Sequence, residues 1–281
     1  MIETIIYGLT IGAILYFFAI GMSITFGTMH IINYSHAMVY TLGVYLFITI
    51  LPVLGGMFIP SLLFAAACMI PIAYILERFV IRKLYGESLD YAIIATYALL
   101  YIGTDIIKFI WGNIPRPVSD PIGSTLRIGT VNISTYRIVI TLAAIVVFVC
   151  VKLFFKKTII GKIVIASLED EEGVRCLGIK VNKYFSIMFI LGSVLAVIGG
   201  VLYAPISAAD PYMGTNILLL AFAVVMVGGM GNLDGTFISA FVIGMAMALT
   251  GRFWSKASEV IAFLIMAGVL IYRRFRYGRI A

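Results

Sequence analysis

The chain has few charged and few reactive side chains. Only 12% of its 281 residues are charged, and it has three cysteines and two histidines. So small a polar fraction does not cover the surface of a water-soluble globule of this length. Cys68, Cys150 and Cys176 have neither the spacing of a metal site nor that of a disulfide framework. The composition therefore argues against a soluble protein and against a disulfide-stapled one.

Nucleotide-binding loops are also missing from the sequence. Gly161-Lys162 is followed by isoleucine and lacks the upstream glycine of a P-loop. The glycines between residues 228 and 235 do not keep the spacing of a dinucleotide-binding loop. The net charge of +7 lies in loops beside apolar runs, so we expect no nucleic-acid partner.

Apolar residues make up 62% of the chain, in runs of about 20 that match a hydrocarbon core roughly 30 Å thick. The short alternating segments of a closed barrel are absent from the sequence, so helical spans are predicted. They cover residues 4–26, 36–51, 58–80, 91–111, 136–155, 184–204, 215–250 with a break at 228–235, and 258–272. The first run has no basic segment before it and is expected to be retained. We predict an all-α polytopic membrane protein, residues 1–281 forming one transmembrane domain with about eight to nine transmembrane or re-entrant helices.

The distribution of basic residues predicts the orientation of these spans. Fourteen of the twenty lysines and arginines fall on the same side as residues 152–183. They lie in that segment, at Arg78, Arg82 and Lys83, and in the tail at Arg273, Arg274, Arg276 and Arg279. The positive-inside rule therefore predicts a cytoplasmic loop at 156–183, an outer loop at 112–135, the N-terminus outside and the C-terminus in the cytoplasm.

The longest polar interruption is residues 152–183, with seven of the basic residues and four of the thirteen acids. Ser167 and Asp170 have the S-x-x-D spacing of a capping box, which predicts a short helix from about Leu168 to Gly178. A helix of about ten residues is marginal in water by itself. It is expected either to dock on another protein surface or to serve only as a capped connection.

Small residues at intervals of four predict closely packed helix faces. They are Gly8 and Gly12; Gly192, Ala196 and Gly200; and Ala240, Gly244 and Ala248. Asp105 and Lys108 are three apart on one helical face, so we expect them to form an ion pair.

Two polar breaks interrupt the apolar runs, one at residues 27–36 and one at 228–235. The first contains Asn33, Tyr34, Ser35 and His36, and the second contains Asn232 and Asp234. An unsatisfied polar group at membrane depth is costly. These side chains are therefore expected either to cap the broken helices and bond to their neighbours or to line a water-filled path for a zwitterion or an amide.

Enzymatic and ion-coupled mechanisms find little support in the sequence. His30 and His36 are six apart, do not share a helical face and have no third ligand nearby, and Ser35 beside His36 lacks an acid partner. No ionisable residue lies deep in a span as in a typical secondary transporter. We expect a separate motor to supply the energy, with an ATP-independent channel or secondary transporter as the alternative.

Three stretches resemble one family. They are AIGMSITFGTMHIINYSHAMVYTLGVYL, GKIVIASLEDEEGVRCLGIKVNKYFSIMFILGSVLAVIGG and AFAVVMVGGMGNLDGTFISAFVIGMAMAL, supported by IWGNIPRP in the outer loop. In this order they resemble the inner-membrane permeases of branched-chain amino acid ABC transporters, over nearly the whole chain. Val174 stands where the family has a small residue, and the tail YRRFRYGRIA departs from the usual ending.

The resemblance implies a non-enzymatic permease subunit in the inner (cytoplasmic) membrane of a prokaryote. Its implied partners are a second related permease as a heterodimer, two cytoplasmic ATPases, an extracytoplasmic solute-binding protein and the lipid bilayer. It implies no metal and no cofactor in this chain, since ATP and Mg²⁺ bind the ATPases. Related permeases carry urea, short amides or aromatic acids, so these remain alternative solutes.

The resemblance also implies which residues act. A solute path is implied near Asn33, Tyr34, Ser35, His36, Gly229, Gly231 and Asn232. Coupling to the ATPase is implied for Ala166, Ser167, Leu168, Glu169, Asp170, Glu171, Glu172, Gly173, Leu177 and Gly178.

Overall fold

The computed structural model describes residues 1–128 and 131–277, and these are largely helical. The helices are α1 Ile2–Met29, α2 Ser35–Ile50, α3 Phe58–Phe79, α4 Leu89–Trp111, α5 Thr135–Lys157, α6 Ile159–Glu169, α7 Glu171–Cys176, α8 Val181–Ser207, α9 Met213–Gly228, α10 Leu233–Phe253 and α11 Val260–Tyr277. Seven helical segments in these ranges are long and apolar enough to cross a membrane, and α2 and α9 are shorter apolar helices. The predicted polytopic all-α architecture with eight to nine apolar helices is confirmed. Arg279 of the tail lies outside the described residues.

The nine apolar helices run alternately between two faces of the bundle. The face that carries α6 and α7 is called the loop face, and the opposite one, where residues 112–128 and 131–134 lie, is called the hairpin face. At the hairpin face the indole of Trp111 donates to Thr49 Oγ1 (2.8 Å), and Arg116 pairs with Ala209 through backbone hydrogen bonds. Met1 lies on the same face, where Arg252 at the end of α10 reaches its sulfur. The two ends of the described chain therefore lie at opposite faces.

Helices α1 and α8 form the centre of the bundle, because most of each helix is buried inside it. Their contact depends on glycine: a Cβ built on Gly21 would lie 2.5 Å from the carbonyl oxygen of Gly192. Helix α1 packs as closely on α10, where a Cβ on Gly244 would lie 2.5 Å from the Cα of Gly12. Because lipid tails are as apolar as the helix surfaces, no hydrophobic effect drives helices together in a membrane, and close backbone approach supplies the packing energy. The predicted small-residue faces are confirmed at these positions.

A short β-hairpin was not predicted from the sequence. Strands β1 Thr125–Ile128 and β2 Val131–Ser134 pair in antiparallel register, Thr125 opposite Ser134. Asp120 links the segment before β1 to the end of β2. Its carboxylate accepts hydrogen bonds from the backbone N–H of Ile122 (2.9 Å) and from the hydroxyl of Ser134 (3.1 Å). The loop predicted at 112–135 therefore contains these two strands, which the sequence analysis did not identify.

The predicted pair between Asp105 and Lys108 is confirmed. Lys108 Nζ lies 2.5 Å from Asp105 Oδ1 near the hairpin-face end of α4 and also donates to the hydroxyl of Tyr212 (3.0 Å). This second contact ties α4 to the start of α9 at the hairpin face. The three cysteines are free thiols.

Candidate functional site

The first joint is the non-helical stretch between α1 and α2, residues 30–34. It begins where His30 adopts a left-handed conformation (φ 54°) and donates its backbone N–H to Phe26 O (2.8 Å), which ends α1. Asn33, Ser35 and His36 are buried, while Tyr34 is partly buried. The sequence located this break correctly, because it is the polar interruption in a long apolar run.

His36 fixes the start of α2 against the middle of α1. Its Nε2 lies 3.2 Å from the carbonyl oxygen of Phe18, and a Cβ on Gly21 would lie 2.7 Å from its Cε1. The imidazole also meets the Phe18 ring edge-on at 5.0 Å. His36 is therefore a packed, hydrogen-bonded side chain in this conformation.

The neighbouring polar groups of the first joint bond mainly to each other and to α4. Ser35 Oγ donates to Asn33 Oδ1 (2.5 Å), and the backbone of Tyr34 donates to Thr96 Oγ1 (3.2 Å). Asn33 Nδ2 is buried and has no hydrogen-bond partner among the described residues. The expected bonding to neighbouring helices is therefore present, but no side-chain hydrogen bond caps the start of α2 in the described structure. Contact of residues 33–36 with a solute stays a prediction.

The second joint is residues 229–232, between α9 and α10. Gly229 and Gly231 have positive φ angles (94° and 80°), a conformation that favours glycine. Asn232 caps α10, because its Oδ1 accepts from the backbone N–H of Gly235 (3.0 Å). A Cβ on Gly27, in the last turn of α1, would lie 2.6 Å from the Cα of Gly231. The structure therefore brings the end of α1 directly onto the second joint.

Two basic residues that the sequence analysis did not assign to a site act at the second joint. The guanidinium of Arg273 in α11 donates to the carbonyls of Met226 (3.2 Å) and Val227 (2.8 Å), which the end of α9 leaves without helical partners. Lys152 in α5 forms an ion pair with Asp234 in the first turn of α10 (2.7 Å). Their sequence separations carry no local signal, so only the fold reveals them.

The segment 156–183, predicted to be a cytoplasmic loop with one helix, contains the two helices α6 and α7. Helix α6 directly follows α5 and is capped by Thr158, whose Oγ1 accepts from Gly161 N (3.0 Å). It continues through Ala166, Ser167 and Leu168 to Glu169. The capping box predicted at Ser167 is wrong, since Ser167 Oγ donates to Ile163 O (2.8 Å) inside α6.

Asp170 is the residue that starts the second helix, α7. Its Oδ1 accepts from the backbone N–H of Gly173 (2.9 Å), the position three residues on. Helix α7 includes Glu171, Glu172 and Gly173 and ends at Cys176. Gly178 has a φ of 78°, so the predicted glycine-terminated end is confirmed.

One side of α7 is anchored to the bundle and the other is exposed. Val174 is buried in an apolar cluster that includes Phe185 of α8. Arg175 bonds to Glu171 within α7 and reaches Asn182 Oδ1 in the first turn of α8 (2.9 Å). Leu177, just beyond α7, is 77% exposed, which is high for a leucine next to a buried cluster.

A buried carboxylate in α3, that of Glu77, connects α3 to the start of α8, to which α7 is also bonded. Glu77 is fully buried and accepts two hydrogen bonds from Arg82 (3.0 and 2.9 Å) and one from the hydroxyl of Tyr85 (2.9 Å). Arg82 also donates to Ser186 Oγ of α8 (2.6 Å). Burial, followed by the charge of Glu77, raises the pKa of the Tyr85 phenol, so it remains a donor. The network holds the loop-face ends of α3 and α8 together.

Helix α6 borders the second joint through a small cavity of about 190 Å³. Leu168 of α6 lines it together with Gly27, Gly231 and Leu233. Across the part of the chain that the structure describes, no three His, Cys, Asp or Glu side chains form a group that would hold a metal ion. The arrangement suits transmission of a movement between α6–α7 and the two joints.

Comparisons with known proteins agree with these features. The family described as branched-chain amino acid transport system, permease component, matches residues 4–272. The high-affinity branched-chain amino acid transport system permease protein LivH of Salmonella typhimurium is 26% identical, over 94% of this chain and 91% of that protein. BraD of Pseudomonas aeruginosa, described in the same words, is 25% identical over 97% and 94% of the two chains. The probable branched-chain amino acid transport permease protein LivH of Methanocaldococcus jannaschii is 25% identical over 92% and 88%.

Proposed function

The chain belongs to the family of branched-chain amino acid transport system permease components, and we propose that it moves such amino acids inward as one membrane subunit of an ATP-driven importer. It is a multi-pass membrane protein and a permease subunit of the ABC importer type. Its partners in the proposal are two cytoplasmic ATPases, a second related permease in a heterodimer and an extracytoplasmic solute-binding protein. ATP and Mg²⁺ bind the ATPases, and this chain needs neither a metal nor a cofactor.

The single observation that carries the coupling role is the two-sided environment of α7. One side is anchored by Val174 and by the Arg175–Asn182 hydrogen bond, and the other leaves Leu177 and the acids Glu169 and Glu172 exposed at the loop face. In the proposal, the exposed leucine lies in the apolar centre of an interface and the neighbouring acids lie at its polar rim. In the proposal, α7 and the end of α6 sit in a groove of the ATPase.

The contacts of α8 supply the route from α7 to the joints. Asn182 in its first turn binds Arg175, and Gly192 further along touches Gly21 beside His36. A shift of α7 would therefore displace α8 along α1, and α1 in turn meets Gly231 through Gly27. In the proposal, ATP binding moves α7 in this way and opens the joints, so that residues 33–36 and 229–232 line the solute path.

The proposal places the loop face in the cytoplasm and the hairpin face outside, in the inner membrane of a prokaryote. Helix α5 ends in Lys156 and Lys157 at the loop face, and η1, the short helix Ile81–Leu84, adds Arg82 and Lys83 there. Basic residues beside membrane spans favour the cytoplasmic side. The N-terminus is then outside and the C-terminus inside.

Photo-crosslinking from position 177 tests the coupling role. Leu177 is replaced by a photoreactive phenylalanine analogue in membranes that contain the whole transporter. The expected result is an adduct with the ATPase subunit that weakens when nucleotide is withheld. Val53, 73% exposed beside the hairpin face, is the matched control and should give no such adduct. Equal labelling from both positions, or leucine uptake by this chain alone without ATP, would contradict the proposal.

A further inference from the structure

A cleft of about 260 Å³ opens at the hairpin face, between α1, α8, α9, α10 and the start of α11. Its walls are apolar where Ile14 and Leu15 of α1 face Ile217 and Leu220 of α9. From Met213 at the start of α9 to Leu220 the cleft descends about 10 Å, at 1.5 Å per residue. This volume lies just below the range of about 300–1,000 Å³ that holds drug-sized ligands. The cleft is therefore sized for a small solute.

Four polar side chains line the same cleft: Tyr203, Ser207, Asn216 and Glu259. In the part of the chain that the structure describes, none of the four takes part in a side-chain hydrogen bond or an ion pair. By contrast, Asp105 and Asp120, two other acids near this face, are both engaged by neighbouring groups. Polar side chains that line a cleft and form no hydrogen bond with other side chains are available to bind a ligand.

The chemistry of the lining is that of a zwitterion site with an aliphatic wall. Glu259 offers a carboxylate that attracts an ammonium group, and charge-assisted hydrogen bonds of this kind are the stronger ones. Asn216 and the hydroxyls of Tyr203 and Ser207 are neutral donors that can hold a carboxylate. Asn216 lies in the first turn of α9, where the helix dipole also favours negative charge.

We propose that this cleft is the outer binding site for the solute, and that it takes α-amino acids with a branched aliphatic side chain. The α-ammonium group binds Glu259, the α-carboxylate binds Asn216 and Tyr203, and the side chain packs against the apolar wall. The inference rests on the proposed function, since it assumes that the hairpin face is external and that the solute is an amino acid. It adds a place within one subunit where solute is held and selected before the joints open.

Binding to the purified full-length chain in lipid nanodiscs tests the site without ATPase partners. Radiolabelled L-leucine is the probe, and two analogues compete with it: 4-methylpentanoate, which lacks the ammonium group, and 3-methylbutylamine, which lacks the carboxylate. The wild-type chain is expected to prefer leucine to both analogues. E259Q should weaken leucine binding about tenfold or more, because one charged hydrogen bond is lost. It should leave competition by 4-methylpentanoate unchanged.

N216D tests the opposite end of the ligand. The new carboxylate repels that of leucine, so leucine binding should fall while competition by 3-methylbutylamine is kept or improved. E3Q is the matched control, because Glu3 lines the adjacent crevice at the same face, and it should bind leucine as the wild type does. Gel filtration and the thermal unfolding midpoint identify a misfolded variant. If E259Q misfolds, the test rests on N216D and competition by 3-methylbutylamine. If N216D misfolds, it rests on E259Q and competition by 4-methylpentanoate.

Leucine affinity that is equal in wild type, E259Q and N216D overturns the proposed site, and so does the absence of leucine binding to the wild-type chain. The proposed function is judged separately, by ATP-driven leucine uptake of the reconstituted transporter and by the adduct from position 177. If E259Q supports leucine uptake at the wild-type rate and KM, the proposed function is retained and the proposed binding site is rejected.

Discussion

The Cα of Gly231 lies so close to Gly27 that a methyl group built on Gly27 would approach it to 2.6 Å. The end of α1 and the second joint therefore touch through backbone alone. We expect Gly27→Ala to lower the free energy of unfolding by about 1–3 kcal/mol, because backbone must shift to admit the methyl group. Thermal unfolding of the purified chain measures the change.

Gly268→Ala is the matched control for this contact. Gly268 lies in α11, and a Cβ there meets nothing within 4 Å. Alanine has the higher helix propensity, so this variant should be as stable as the wild type or more stable. If the two alanine variants unfold at the same temperature, the Gly27–Gly231 contact does not constrain the bundle.

Glu77→Gln should destabilise the protein by about 2 kcal/mol or more, since it leaves Arg82 without its charged acceptor at a buried position. Asp105→Asn removes an exposed partner of Lys108 and should leave the unfolding midpoint unchanged. Chemical unfolding curves of the two variants in the same detergent provide the comparison. A larger effect at Asp105 would show that the Glu77 network contributes less than its geometry indicates.

Arg273→Gln should weaken the end of α9. The wild-type guanidinium satisfies the carbonyls of Met226 and Val227, and losing these charged hydrogen bonds costs about 1–3 kcal/mol. Arg274→Gln changes the same charge one residue along, at an exposed position, and serves as control. Hydrogen exchange of residues 224–228 should rise in the first variant only. Identical exchange in both would argue against the cap.

Asp170→Ala and Ser167→Ala distinguish the two possible helix starts in the coupling segment. Because Asp170 caps α7, its replacement should destabilise that helix by about 1 kcal/mol and reduce ATP-driven uptake. Ser167→Ala removes a hydroxyl that only bonds back to Ile163 within α6, so uptake should stay near the wild-type rate. ATP-driven uptake is measured for both variants at matched membrane expression. A larger loss of uptake in Ser167→Ala than in Asp170→Ala would indicate that Ser167 is the cap.

Much of the fold was predictable from hydropathy alone. Each apolar run is about as long as a membrane is thick, so the helix bounds follow within a few residues. The joints at residues 30–34 and 229–232 were predictable to within a few residues, because glycine and polar residues interrupt otherwise apolar runs. The close approach of Gly12 and Gly244 followed from small residues at intervals of four.

The remaining features depend on contacts that no local pattern contains. Ser167 and Asp170 are both competent caps, and the choice between them is made by the turn that lets Val174 reach its buried cluster. The pair of Lys152 with Asp234 and the cap from Arg273 join residues far apart in sequence. The position of Glu259 beside Asn216 and Tyr203 in one cleft is likewise visible only in the folded chain.

The cap that Arg273 places on α9 has a consequence for the order in which the chain matures. A ribosome makes the protein from its N-terminus, so α9 enters the membrane well before residue 273 exists. Until α11 has been synthesised and inserted, the carbonyls of Met226 and Val227 have only water or lipid headgroups to bond. The end of α9 therefore gains its cap only after α11 has been inserted beside it.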